Sequence, residues 1–148
     1  MHTVPIDYDR PMYERARAIA GGSDERLFED YFDAQLDMLR ELRPLVVGHF
    51  DLIRLKSDDM ERSFKSWPRV WERVLRNLDF IAGYGGILEL NGAALRKGMS
   101  EPYPKAEICQ VRLLSIFHFR YFCGGEMLML DLVWTGVFGA RRSVLSFR

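Results

Sequence analysis

Cysteine is scarce in this chain. Cys109 and Cys123 are the only two in 148 residues. They lack metal-ligand spacing and are too few for a secreted disulfide framework, which points to a reducing compartment, taken as the cytoplasm. Net charge is missing as well: 21 basic residues balance 21 acidic ones. That balance gives no support for nucleic acid or an anionic membrane as partner. Long hydrophobic runs are absent, because Arg112, Arg120, Glu126 and Asp131 interrupt the apolar stretches of the C-terminal part; a clean transmembrane helix is excluded there. The opening residues do not read as a signal peptide, and no internal repeat or low-complexity segment is visible. What is present is a 48% hydrophobic composition, suited to one modest domain or a piece of one.

The apolar spacing predicts an ordered succession of helices and strands. Residues 10–20 have helical composition, with Pro11 suited to a first turn, and Gly21-Gly22 stops the run. Ser23 is a good N-cap, followed by Asp24 and Glu25 where the helix dipole favours anions. That helix is expected to reach Leu42 and to bury Leu27, Phe28, Tyr31, Phe32, Met38 and Leu39. A strand over residues 45–49 follows Pro44, and residues 56–65 read as an exposed polar loop. Pro68 opens a helix whose stripe is Val70, Trp71, Val74, Leu75, Leu78 and Ile81, closed by Gly83. A second strand covers residues 87–91, and a further helix is expected from Pro104. Strands separated by helices of this length imply parallel crossovers and an α/β sheet.

The most telling run is Pro44-Leu-Val-Val-Gly-His-Phe-Asp-Leu-Ile-Arg-Leu55. Side chains alternate along a strand, so Val47, His49 and Asp51 are expected on one face. On the second strand Ile87, Glu89 and Asn91 share a face. Both strands therefore carry polar groups at their C-terminal ends, the edge where parallel α/β folds place their sites. The bland reading is a core histidine satisfied by a neighbouring carboxylate; agreement between two strands favours a site. Arg96 and Lys97 follow the second strand, and Arg54 and Lys56 follow the first. Guanidinium and ammonium groups there suit a phosphate, although such residues in loops also occur as plain solvated surface. Glu101-Pro-Tyr-Pro104 is a rigid turn, with Tyr103 lining the site or packing beneath it.

These segments resemble the PHP (polymerase and histidinol phosphatase) family, in its fungal-type histidinol-phosphatase branch. The resemblance is carried by Val4-Pro-Ile-Asp-Tyr-Asp9, Pro44-Leu-Val-Val-Gly-His-Phe-Asp-Leu52, Val74-Leu-Arg-Asn-Leu78 with Tyr84-Gly-Gly86, Glu89-Leu-Asn91, Ala94-Leu-Arg-Lys97 and Glu101-Pro-Tyr-Pro104. It implies a fragment of a distorted β/α (TIM-like) barrel in which strands alternate with helices. It implies a cluster of divalent metal ions of the Zn, Fe or Mn type, which polarise the phosphoryl group and activate a water. The implied reaction is hydrolysis of L-histidinol phosphate to L-histidinol and phosphate in histidine biosynthesis. By position, His49 would be a metal ligand and Asp51 would fix that region from behind it. Glu89 and Asn91 would line the catalytic pocket, while Arg96, with Lys97 and Arg54, would hold the phosphate.

The chain also departs from that family. The paired histidines expected near the family's N-terminus are absent, as is its closing Asp-Asp-Ser-His-type motif. Residues 1–110 are accordingly expected to be the central part of the domain. Residues 111–148 are expected to be a divergent tail arising from a retained intron or frame error near Gln110-Val111-Arg112. A chain so truncated is expected to lack phosphatase activity alone. The alternative is a catalytically inactive remnant or binding module. Oligomeric state is not legible in the sequence.

Overall fold

The computed structural model describes residues 4–111, together with the backbone of two strands, Arg120–Cys123 and Glu126–Met129. The expectation of a divergent tail over residues 111–148 falls mostly outside this described part.

Three helices form from the signals that punctuate them. Helix α1, Arg10–Ile19, starts where the Asp9 carboxylate accepts the Met12 N–H at 2.8 Å, with Pro11 in its first turn. Helix α2, Asp24–Leu42, is capped by Ser23, whose hydroxyl accepts the Arg26 N–H at 3.3 Å. It ends at Arg43, a left-handed residue with φ 41°. Helix α3, Pro68–Gly83, buries Val70, Val74, Leu78 and Ile81, as its stripe predicts. Trp71 and Leu75 sit half-buried on the rim of that stripe.

The core lies between α2, α3 and the first strand. Leu27, Phe28, Phe32 and Leu39 of α2 pack with Phe50, Phe64, Val74 and Leu78. The Phe32 ring stands 5.7 Å from Phe50 and 5.9 Å from Phe64, centroid to centroid. Met38 departs from expectation: it is 39% exposed. The buried positions 28, 32, 35 and 39 define one face of α2, and Met38 lies a full 100° step away from Leu39.

A four-stranded sheet runs in the order β1, β2, β3, β4. Strand β1 is Val46–Val47 and β2 is Ile87–Glu89; they pair in parallel, with Val46 opposite Ile87 and Val47 opposite Leu88. Strand β3, Arg120–Cys123, adds in parallel to β2, and β4, Glu126–Met129, returns antiparallel to β3. Placing α3 between two parallel neighbours bears out the mixed α/β class.

Three local expectations need correction. The first strand is two residues long rather than spanning 45–49, and Leu45 before it is 70% exposed. The segment 56–65 is not wholly exposed: Ser57 and Phe64 are buried, the latter in a 3-10 turn, Phe64–Ser66. Among the described residues, the helical structure beyond Pro104 is a single turn, α5, Ala106–Cys109, and an unexpected turn, α4, Ala93–Arg96, follows β2. No helix among the described residues is long and apolar enough to cross a membrane.

Candidate functional site

Strand β1 stops at Val47, and the backbone then turns sharply through His49, whose φ is 48°. A non-glycine residue in the left-handed region carries local strain, and the surrounding contacts must hold it. Phe50, fully buried, is the anchor. The Tyr31 hydroxyl donates to the carbonyls of His49 (3.4 Å) and Phe50 (3.2 Å), and Gln35 Nε2 donates to the Phe50 carbonyl at 2.9 Å. Gln35 Oε1 in turn accepts from Asn77 Nδ2 at 3.0 Å, which also donates to the Phe32 carbonyl at 2.7 Å. Burial pushes the Tyr31 hydroxyl well above its ordinary range, so it remains a donor. This polar chain runs from α3 through α2 to the turn that carries the histidine.

The turn also corrects the expectation that His49 and Asp51 share a strand face. Alternation ends with the strand, and the left-handed residue rotates the chain. The His49 side chain is 40% exposed, whereas the Asp51 side chain is fully buried.

His49 does meet Glu89. Nδ1 lies 3.6 Å from Oε2, an ion-pair distance rather than a short hydrogen bond. Glu89 Oε1 accepts from Asn91 Nδ2 at 3.0 Å, and Asn91 Oδ1 accepts the Ala93 N–H at 2.8 Å. Gly48 makes this approach possible, because a Cβ there would sit 3.0 Å from Glu89 Oε2. Tyr103 completes the cluster. Its ring centroid is 5.4 Å from that of His49, and its backbone exchanges two hydrogen bonds with Asn91, of 2.7 and 2.9 Å.

Behind this cluster lies a buried ion pair. Asp51 Oδ2 accepts from Arg54 Nε and from the Lys105 N–H, both at 3.0 Å. Burial pushes the Asp51 carboxyl up to about 6, against the pull of Arg54 and the Lys105 N–H. Burial likewise pushes the Tyr103 hydroxyl up to about 12. Asp51 Oδ1 and the Tyr103 hydroxyl have no hydrogen-bond partner among the described residues.

Of the residues expected to hold phosphate, Arg54 is corrected. Its side chain is 2% exposed, and its donors are committed to Asp51 and to backbone carbonyls. The cause is that residues 52–56 form a 3-10 turn that folds the guanidinium inward rather than a loop that presents it. Arg96 ends α4 and Lys97 caps it, both exposed. Among the described residues, no hydrogen bond or ion pair joins them to His49, Glu89 or Asn91.

The resemblance implies a metal cluster that the described residues do not complete. No three His, Cys, Asp or Glu side chains among them converge to hold an ion. His49 and Glu89 are a two-donor fragment and do not by themselves fit a multinuclear centre. An open cleft of about 340 Å³ lies elsewhere, lined by Arg17, Ser23, Asp24, Asp58, Arg62 and Trp67 among others. It contains none of the expected site residues.

Sequence reasoning overlooked Tyr31, Gln35, Asn77 and Gly48 as site supports. Gln35 and Asn77 were legible in principle, since each is a polar residue standing on an otherwise apolar helix stripe.

Comparison with known proteins points one way. The sequence is 39% identical over 112 residues to the "Probable histidinol-phosphatase" of Schizosaccharomyces pombe, covering 75% of this chain and 37% of that one. It is 32% identical over 148 aligned positions to the "Histidinol-phosphatase" of Saccharomyces cerevisiae, covering 86% of this chain and 42% of that one. No family model matches, and no solved structure matches. The chain spans about two fifths of the length of these curated relatives. The resemblance to fungal-type histidinol-phosphatases is thus borne out, over a segment of those proteins rather than their whole length.

Proposed function

We propose that this chain is the central segment of a metal-dependent phosphomonoester hydrolase that converts L-histidinol phosphate and water to L-histidinol and phosphate. The observation that carries the reading is the meeting of His49, Glu89 and Asn91 at the C-terminal ends of adjacent parallel strands, in a sequence similar to named histidinol-phosphatases. With Nδ1 turned toward Glu89, the imidazole has Nε2 on the other side of the ring left for a ligand. Asn91 holds that carboxylate in place. Asp51 lies behind the turn as a structural anchor and does not face substrate.

In this reading His49 is one ligand to a divalent ion of the Zn, Fe or Mn type, and the other donors come from outside the described residues. The parallel arrangement of β1, β2 and β3 supports a fragment of a β/α barrel, with residues 1–110 as its central part. Arg96 and Lys97, exposed just beyond β2, are the cations left to meet the phosphate. The balanced charge is in keeping with a small-molecule substrate in the cytoplasm rather than nucleic acid or membrane.

The two-donor fragment favours a second reading, a catalytically inactive remnant or binding module. One experiment separates them. Residues 4–111 are exchanged for the matching segment of the Schizosaccharomyces pombe relative, and phosphate release from L-histidinol phosphate is measured with Mn²⁺ or Zn²⁺. An active chimera that His49→Gln abolishes supports the hydrolase; an inactive, folded chimera supports the remnant. The chain expressed alone is expected to release negligible phosphate.

A further inference from the structure

Arg54 is nearly inaccessible to solvent, yet its guanidinium reaches three separate parts of the fold. Nε donates to Asp51 Oδ2 at 3.0 Å. One terminal nitrogen donates to the carbonyls of Glu101 (2.8 Å) and Pro102 (2.6 Å), and the other reaches the Met60 carbonyl at 3.5 Å. The guanidinium carbon also lies 5.0 Å from the centroid of the Tyr103 ring. Asp51, held by Arg54, grips the N–H of Lys105 on the far side of that tyrosine. Tyr103 is therefore pinned from before, from behind and across its face.

We infer that Arg54 is a positioning residue that holds the Tyr103 ring against His49. The hydroxyl of Tyr103 makes no hydrogen bond among the described residues, so its polar end does not set the ring's place. What sets it is the stack on the guanidinium and the anchored backbone on either side. The ring then stands 5.4 Å from the His49 imidazole at an interplanar angle of 57°, forming one wall for that exposed side chain. Lysine cannot substitute. A single ammonium supplies no plane for the stack and cannot span Asp51 and two turn carbonyls at once.

The inference deepens the hydrolase reading but is read out on His49 itself, so it can fail while that reading stands, and the reverse. The full chain carrying ¹³C-labelled histidine is compared with Arg54→Lys, Tyr103→Leu and the double variant, with His49 assigned by His49→Gln and folding followed by circular dichroism. Arg54→Lys is expected to remove the ring-current displacement of the His49 resonances and to raise its carbethoxylation rate several-fold. Tyr103→Leu is expected to do the same. In the Tyr103→Leu background, Arg54→Lys is expected to add nothing further. Should Arg54→Lys fail to fold, Asp51→Asn, which removes the ion pair from an isosteric side chain, is expected to shift His49 in the same direction by less. Unmoved His49 resonances in the folded Arg54→Lys or Asp51→Asn protein overturn the inference. So does an effect of Arg54→Lys that persists undiminished without the tyrosine.

Discussion

His49 Nδ1 and Glu89 Oε2 stand 3.6 Å apart, delivered by two parallel strands that are neighbours in the sheet although a helix separates them in sequence. The sheet register produces this meeting. With Val47 opposite Leu88, β1 ends one residue short of the level of Glu89, and the turn that follows brings His49 up to that carboxylate.

Gly48→Ala is expected to separate this pair with little change in stability. The new methyl group falls at 3.0 Å from Glu89 Oε2, so the carboxylate must give way, and the end of a glutamate side chain can do so. A structure of the variant, or the His49 ring resonances, reads the displacement. Equal His49 environments in the two proteins would count against it.

Phe50→Ala is expected to cost about 3–5 kcal/mol, as for other buried phenylalanines. The ring is fully buried against Phe32, and it is the only apolar anchor between His49 and Asp51. Urea unfolding checks the figure. Because domains of this size hold a margin of about 5–15 kcal/mol, the variant is expected to fold but to unfold at markedly lower urea.

Removing one partner from the Asp51–Arg54 pair is also expected to be costly. Asp51→Ala leaves a buried guanidinium without its anion, a loss of about 3–5 kcal/mol. Replacing both residues, as in Asp51→Leu with Arg54→Met, is expected to recover part of it. Thermal unfolding of the single and double variants tests this.

Acid sensitivity is expected from Glu61. Its carboxylate accepts from the Ser100 hydroxyl at 2.6 Å and the Ser100 N–H at 2.8 Å. The hydroxyl contact, most of all, holds its pKa below the ordinary 4.5. A depressed carboxylate contributes stability that is complete above its unfolded value and is lost as pH falls through the folded one. Unfolding measured downward from about pH 5 is therefore expected to show a steeper loss for the wild type than for Glu61→Gln. Identical slopes would exclude the contribution.

The outer edge of β1 is expected to make the chain associate. Among the described residues β1 is an end strand of the sheet, and Leu42, Leu45 and Val46 in and before it are 66%, 70% and 41% exposed. Unpaired strand edges with apolar side chains recruit other strands. Sedimentation at rising concentration is expected to show self-association, and Val46→Lys is expected to reduce it. A wild-type chain that stays monomeric throughout would dispose of the idea.

The sequence was most readable where a single local rule governed the outcome. Ser23, Asp24 and Glu25 marked the start of α2 because capping and the helix dipole act within one turn. The α3 stripe was readable because period 3.6 is imposed by one continuous packing face. Glu89 comes within 3.6 Å of His49, and Asn91 within hydrogen-bond reach of Glu89, because strand ends in a parallel sheet lie at one edge. The role of Asp51 and Arg54 was not readable. It depends on a left-handed turn at His49 and on distant partners at Glu101, Pro102 and Lys105. Alternation along a strand says nothing about the chain once that strand has ended.

Asn91 and Tyr103 grip one another through a reciprocal pair of backbone hydrogen bonds, closing the segment between them at its base. A loop fastened at its neck can exchange residues at the tip without disturbing what lies beneath. Arg96 and Lys97 sit on that tip. The charge carried on that tip can therefore vary while the histidine, the carboxylate and their spacing stay untouched.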